Sequence, residues 1–315
     1  MRDVAQLASW VEGLTRRLRF EKGNVKCGLG SCPGPDSPWA RFRPQRHGAL
    51  LQGVFYCGRP CLETALTAQL ARLRALPPIA APSNRIPLGL LMVARGWLTH
   101  EQVAKALEAQ QKARSGQIGE WIERLGFATE QQVTSALGLQ WGCPVTLAAD
   151  AASLLPVGPI PLGILEAFQM IPLQFVAATK IISIGFGQRV DHGALYAIEN
   201  ILDCRTQPCV AGRKMVADEL AQMRQHWQPR QRELEFGLMR DFGEIKRVAV
   251  SYMLRLGADE IRLARVGDFI WLRLRVRKLF TDLLFRTEFK AQKASQTFHH
   301  VFPAGRIPAP SPLLR

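Results

Sequence analysis

Residues 87–110, PLGLLMVARGWLTHEQVAKALEAQ, and residues 117–140, QIGEWIERLGFATEQQVTSALGLQ, are two copies of one pattern set 30 residues apart. Without a gap, Gly89 falls over Gly119, Gly96 over Gly126, Thr99 over Thr129, Gln102 over Gln132, Val103 over Val133, Ala106 over Ala136, Leu107 over Leu137 and Gln110 over Gln140. In each copy Thr-x-x-Gln reads as a capping box: the Thr hydroxyl accepts from the backbone N–H three residues on, and the Gln side chain reaches back to the Thr N–H. Upstream, Leu88, Met92 and Val93 in one copy and Ile118 and Ile122 in the other recur at helical spacing. Both runs stop at a glycine, the residue that tolerates the left-handed turn ending a helix. Each copy is therefore expected to be helix, Gly turn, capped helix. A duplicated hairpin of this kind buries its apolar stripe against its twin.

Around the repeat the chain changes character. It has 315 residues, 47% hydrophobic and 21% charged, which is a globular composition long enough for two or three cores. Its net charge of +15 is unevenly spread. Residues 1–84 hold 12 basic and 5 acidic side chains, 85–225 hold 12 of each, and 226–315 hold 17 and 9. The middle is neutral and the flanks carry the excess, which draws attention to nucleic acid, an anionic membrane surface or an acidic partner. Pro-rich stretches at 77–84 and 291–315 and a polar run around Pro229 mark the joints. The expected organisation is 1–76, a Cys-rich module; 77–84, a linker; 85–225, the repeat domain; 226–290, a second domain; and 291–315, a tail carrying His299 and His300.

Residues 1–20 form an amphipathic, charged pattern without the apolar run of a signal peptide. The most apolar stretch, 156–178, contains four prolines together with Glu166, Gln169 and Gln174, so no bilayer span is expected. A cytoplasmic location follows as the expectation.

Four of the seven cysteines form two pairs, Cys27 with Cys32 and Cys57 with Cys61, each pair separated by a glycine-containing turn. Cys61 is expected to open a helix over 62–76. Such a set suits a tetrahedral zinc site of treble-clef type held by four cysteines, with the last ligand at a helix N-terminus. Buried free thiols or disulfides are the alternatives, the latter disfavoured in a reducing compartment. Cys143, Cys204 and Cys209 read as ordinary buried residues. In the third segment, Ile270, Leu272, Leu274 and Val276 alternate strictly with Trp271, Arg273, Arg275 and Arg277 over a predicted strand at 269–279. The basic side is either a solvated strand face or a cradle for phosphate or single-stranded nucleic acid.

The repeat resembles the tandem motif in the N-terminal domain of type II secretion and type IV pilus assembly ATPases, the GspE/MshE/PilB family. Two glycines seven apart, apolar residues seven and eleven further on, and a closing Gln carry the likeness. The resemblance extends through the second, α/β half of that domain. There 167–173 matches a strand entering from a helix, 181–187 a central strand, 194–202 with 208–211 the next helix and strand, and 213–223 a closing helix. Gly257-Ala-Asp-Glu-Ile-Arg-Leu263, preceded by an amphipathic helix at 244–256, resembles the second N-terminal domain of the same ATPases. Arg273 and Arg275 match its paired arginines, while Arg277 and Lys278 replace its Asp-Gly turn.

The implied fold class is α/β (α+β): a tandem helical-hairpin repeat plus a small α/β half, flanked by the Cys-rich module and a helix-plus-antiparallel-strand domain. Some members of the family bind cyclic di-GMP through the tandem motif. Carried over position by position, that surface comprises Leu88, Gly89, Met92, Gly96, Val103, Leu107 and Gln110, with Ile118, Gly119, Ile122, Gly126, Val133, Leu137 and Gln140. The motif's two leading arginines are Pro87 and Gln117 here, which removes the guanidinium forks that would grip phosphate. Arg85 lies two residues upstream. The implied partners are a secretion or pilus assembly platform protein or a motor ATPase. No Gly-Lys dipeptide occurs, so the chain lacks the phosphate-holding loop of the motor, and no nucleophile elbow or zinc-hydrolase helix is present. The expected activity is binding without catalysis, as an adaptor or regulator. The alternatives are nucleic-acid binding through the four-cysteine module and the basic strand, and reception of cyclic di-GMP.

Overall fold

The structure is a computed structural model and describes residues 26–32, 48–77, 85–146, 160–225, 232–277 and 279–288. The expected N-terminal amphipathic pattern, most of the linker, the joint at Pro229 and the tail with His299 and His300 lie outside these residues.

Both copies of the repeat fold as their sequences dictate. Helices α2 (Leu88–Ala94) and α3 (His100–Ala113) form the first, and α4 (Ile118–Arg124) and α5 (Glu130–Trp141) the second. Thr99 and Thr129 close complete capping boxes with Gln102 and Gln132. Gly96 and Gly126 take φ of +70° and +69°, values at which a Cβ would be strained. The hairpins pair crosswise, α2 against α5 and α3 against α4. At the crossing, a Cβ on Gly89 would lie 2.8 Å from a methyl of Val103, and one on Gly119 would lie 2.9 Å from the equivalent methyl of Val133. The two glycines are required for close approach, and both copies use them alike.

A four-stranded sheet follows, built from β3 (Val145–Thr146), β4 (Met170–Val176), β5 (Ile181–Phe186) and β6 (Arg205–Ala211) in the order β3-β6-β5-β4. Helices α6 (Leu162–Ala167), α7 (His192–Leu202) and α8 (Arg213–Gln225) complete this unit. α7 buries Ala194, Leu195, Ala197, Ile198, Ile201 and Leu202, too wide an apolar surface for a helix with one wet face. It is covered by β6 on one side and by a strand of a second sheet, β8 (Glu260–Val266), on the other.

That second sheet has five further strands: β1 (Ala49–Leu51), β2 (Val54–Tyr56), β7 (Arg232–Leu238), β9 (Phe269–Val276) and β10 (Leu279–Arg286). Their order is β2-β1-β8-β9-β10-β7. Here the structure departs from the expected separation of the Cys-rich module and the last domain. β1 pairs in parallel with β8 at Leu50–Glu260 and Leu51–Ile261, and α1 (Arg59–Ala75) lies on α9 (Phe242–Leu256). One core joins Leu51, Leu62, Leu66 and Leu70 to Ile245, Val250, Ile261, Leu272 and Phe285. Sequence separation hid this, because parallel pairing is set by distant residues.

The opposite sheet face is buried too. Ala264, Val266, Trp271 and Leu284 share a core with Ile164, Leu165, Ile198 and Leu202 of the α/β unit. At this junction β7 caps α6: Glu233 accepts from the backbone N–H groups of Leu162 and Gly163 at 3.2 and 3.3 Å. Burial, above all, with Asp282 and Glu235 adding repulsion, outweighs those two donors and raises the Glu233 carboxyl to about 7. Its ordinary value in the unfolded chain is near 4.5. The native state therefore binds more protons than the unfolded one between these values, and stability falls as pH rises from about 4.5 to about 7. Glu233→Gln keeps an acceptor without the charge. It should flatten this fall and stabilise the protein above pH 7 by about 1–3 kcal/mol, read from urea midpoints across pH.

Candidate functional site: a four-thiol cluster and the surfaces of the repeat

The knuckle at Cys27–Cys32 sits beneath the β1–β2 hairpin. The Gly28 N–H donates to the Phe55 carbonyl at 2.7 Å, and a Cβ on Gly28 would collide with Val54. Cys57 follows β2 directly, and Cys61 lies in the first turn of α1, which has Pro60 beside its start. Four thiols thereby converge, their sulfurs all within 4.8 Å of one another. Cys32 to Cys57 is 3.4 Å, Cys32 to Cys61 3.6 Å and Cys57 to Cys61 3.9 Å. A disulfide requires about 2.05 Å. A tetrahedral zinc thiolate with bonds of about 2.3 Å places its sulfurs about 3.8 Å apart, so the donor set and its spacing fit a metal held by four thiolates.

Electrostatics agree with a site built for a cation. At Cys27 burial acts to raise the thiol, but hydrogen bonds from the backbones of Cys57 and Leu29 and from the Cys32 and Cys57 side chains bring it down to about 7. Cys61 is pushed up to about 12 by burial, by its hydrogen bonds to Cys32, Cys57 and Cys27, and by the charge on Cys27. Cys57 is raised chiefly by burial. Cys27 ionises readily, its charge opposes ionisation of Cys57 and Cys61, and a cation among the sulfurs would offset that opposition. The other three cysteines play no part in this cluster. Cys209 is buried, Cys143 and Cys204 are half-buried, and burial raises Cys204 to about 12.

In the repeat, most residues carried over from the tandem motif lie inward. Leu88, Gly89, Met92, Gly119, Ile122 and Val133 are buried. Val103, Ile118 and Leu137 pack at the edge of the same small core, whereas Leu107 is exposed. The two glutamines latch the copies together: Gln110 donates to the Gly116 carbonyl at 2.9 Å and Gln140 to the Ile86 carbonyl at 2.8 Å. Residue 116 is the repeat equivalent of residue 86, so each copy's glutamine holds the start of the other. The donors on this surface do not fit a doubly charged phosphodiester ligand. Pro87 and Gln117 offer no cation, Gln117 bonds to Gln188 at 2.9 Å, and the Arg85 guanidinium stacks on Trp141 at 3.1 Å from the ring centroid.

The basic strand requires a correction. Alternation along β9 holds, but most of its arginine side is not solvated: Arg273 and Arg275 are 3% and 8% exposed and Trp271 is fully buried, while Arg277, just past the end of the strand, is exposed. Asp282, opposite Arg273 on β10, accepts from Arg273 Nε at 2.8 Å, Arg273 Nη2 at 2.7 Å and Trp271 Nε1 at 2.8 Å. Arg275 is held by Asp259 and Glu260 at 3.2 and 3.3 Å. Arg273 and Arg275 are neutralised beside Ile201 and Leu202 at the end of α7 and are not laid out as a basic face for a nucleic-acid strand. The carboxylates that pair with them come from β10, from β8 and from the bend before β8, and no spacing rule within β9 foretold them.

No family model matches the chain, and no curated protein matches it. Among solved structures it is similar to a structure of MshE with cdg, at 24% identity and a TM-score of 0.38, over 44% of this chain and 99% of that one. It is also similar to the N-terminal domain of XpsE in two crystal forms. One has 17% identity and a TM-score of 0.35 over 43% and 92% of the two chains. The other has 17% and 0.27 over 46% and 99%. At these levels of likeness the functional reading rests on the chain's own residues. Those define an α/β protein with a four-thiol cluster and a duplicated helical hairpin. Among the described residues no helix is long and apolar enough to cross a membrane.

The buried pair yields a direct test. Asp282→Ala strands a guanidinium that, like its partner, is only 4% exposed as a side chain, and should cost about 3–5 kcal/mol in urea unfolding. Glu108→Ala breaks an exposed pair with Lys112 and should leave the midpoint almost unmoved.

Proposed function

We propose that the chain is a non-catalytic adaptor or regulatory protein that resembles the N-terminal domains of type II secretion and type IV pilus ATPases and recruits or modulates such a machine. The observation that carries this is the tandem motif folded as a mutually latched pair and seated on an α/β unit. Its glycines and glutamines perform equivalent tasks in both copies. The partner is an assembly platform protein or a motor ATPase. Biolayer interferometry of the purified chain against the cytoplasmic domain of a platform protein, and against a motor ATPase from the same cell, should show saturable association at about micromolar concentrations. Failure to bind either retires the proposal.

The four-thiol cluster serves this role as a structural zinc site. Cys27, Cys32, Cys57 and Cys61 would hold the ion, and binding it would fasten the β1–β2 hairpin and the start of α1 to the six-stranded sheet. Protein purified without added metal should contain about one equivalent of zinc by elemental analysis, as a closed four-thiolate site requires. Cys61→Ser should lose the metal and lower Tm by about 5 °C or more. Zinc-free protein of unchanged Tm would count against the site.

A further inference from the structure

Helix α1 begins without the usual means of holding a helix start. Its N-cap, Gly58, has no side chain to accept from the first turn, and that turn contains no acidic residue. Arg59 sets a cation at the positive end of the helix dipole, answered by Glu63 one turn on at 2.6 Å. The far end is better fixed, by Arg265 Nη1, which donates to the Leu76 carbonyl at 2.7 Å. Sulfur stands at the start instead. Cys57 lies just before the cap and Cys61 within the first turn, with the Cys32 sulfur 3.4 Å from one and 3.6 Å from the other. The four cysteines of the cluster are half-buried, which leaves it within reach of small solutes. The remaining cysteines compete poorly for an oxidant: burial raises the thiols of Cys143, Cys204 and Cys209 and keeps them protonated.

We infer that the cluster is a peroxide-sensitive pin on α1: oxidation joins Cys32 to Cys57, expels the ion and frees the start of the helix from the sheet. This rests on the zinc reading above and adds the regulation of that site. Metal-bound sulfurs are thiolates, the form that attacks peroxide. One thiolate attacks a peroxide oxygen, the O–O bond breaks with loss of hydroxide, and the sulfur becomes a sulfenic acid. The second thiolate attacks that sulfur, so that the S–S bond forms and the S–O bond breaks with loss of another hydroxide. Two electrons pass from the sulfur pair to one peroxide, and two protons from solvent convert the hydroxides to water. Cys32 and Cys57 are closer to each other than either is to Cys61, which selects this pair. With two of its four ligands consumed, the site no longer closes around an ion. Cys61 is then untied, the charge of Cys57 beside the cap is gone, and the neighbouring hairpin is joined to β8 by a ladder only two residue pairs long. Leu62, the first buried residue of α1, is the side chain whose packing loosens.

The test treats the full chain, as purified with its zinc, with hydrogen peroxide. Free zinc is followed with a chromogenic chelator, disulfides by peptide mapping without reduction, and backbone protection by amide hydrogen exchange. Zinc should appear as the Cys32–Cys57 disulfide forms. Amides 61–66 should then exchange about tenfold faster, while those of 70–76 and of the repeat hairpins stay as they were. Dithiothreitol with added zinc should restore slow exchange, and Cys143→Ser should respond as the parent does. Zinc that stays bound, zinc released without the Cys32–Cys57 disulfide, or unchanged exchange at 61–66 overturns the inference and leaves the zinc site standing. Loss of protection throughout the chain overturns it as well, since the effect would then be unfolding. A chain that holds no zinc before peroxide is added fails the zinc reading itself, and the inference with it.

Discussion

A sheet face bearing Arg273 and Arg275 is buried only because each guanidinium meets a carboxylate as it leaves water. Asp282 takes both the fork of Arg273 and the indole N–H of Trp271, and Glu260 with Asp259 holds Arg275. The cost of dehydrating such ions is several kcal/mol each, so the face closes only with this pairing complete. Once it is complete, α6 and α7 settle on the sheet, Trp271 and Leu284 join the core of the α/β unit, and the two sheets become layers of one body. Without it, the C-terminal sheet would carry a wet basic face and have no reason to hold the repeat domain.

The other face of that sheet has the opposite chemistry. Ile261, Leu263, Ile270, Leu272, Leu274 and Phe285 need an apolar cover, and α9 alone is too narrow. Helix α1 supplies the rest, and the β1–β2 hairpin extends the sheet at its edge. The hairpin's attachment to β8 is short, two residue pairs in parallel register. An ion joining Cys57 and Cys61 to the knuckle under the hairpin, as proposed, would act where the sheet has little hydrogen bonding of its own.

The basic flanks read from composition now divide by accessibility. Three arginines of the last segment, Arg262, Arg273 and Arg275, are used inside, on Glu260, Asp282 and Asp259. The neutral repeat domain has used its acids in the same way, with Glu120, Glu123 and Glu130 bound to the α/β unit. Pairing, not count, decides which individual charges solvent meets. Glu123 shows the consequence, its carboxyl raised by burial even with Arg213 beside it.

Sequence by itself determined the elements whose causes are local. The capping boxes at Thr99 and Thr129, the left-handed glycines at 96 and 126, the alternation along β9 and the two cysteine pairs are all set by residues a few positions apart, and all were legible. The convergence of Cys27, Cys32, Cys57 and Cys61 was legible as chemistry, since two turns with the right donors suffice to suggest an ion. Tertiary structure decided everything that depends on a distant partner. It buried both sides of β9, the basic one through an aspartate on β10. It joined β1 to β8 across about two hundred residues, and it made Gln110 and Gln140 latches between the two copies. The physical reason is common to these cases: an amphipathic pattern fixes which residues share a face, and only the packing of remote elements fixes what that face meets.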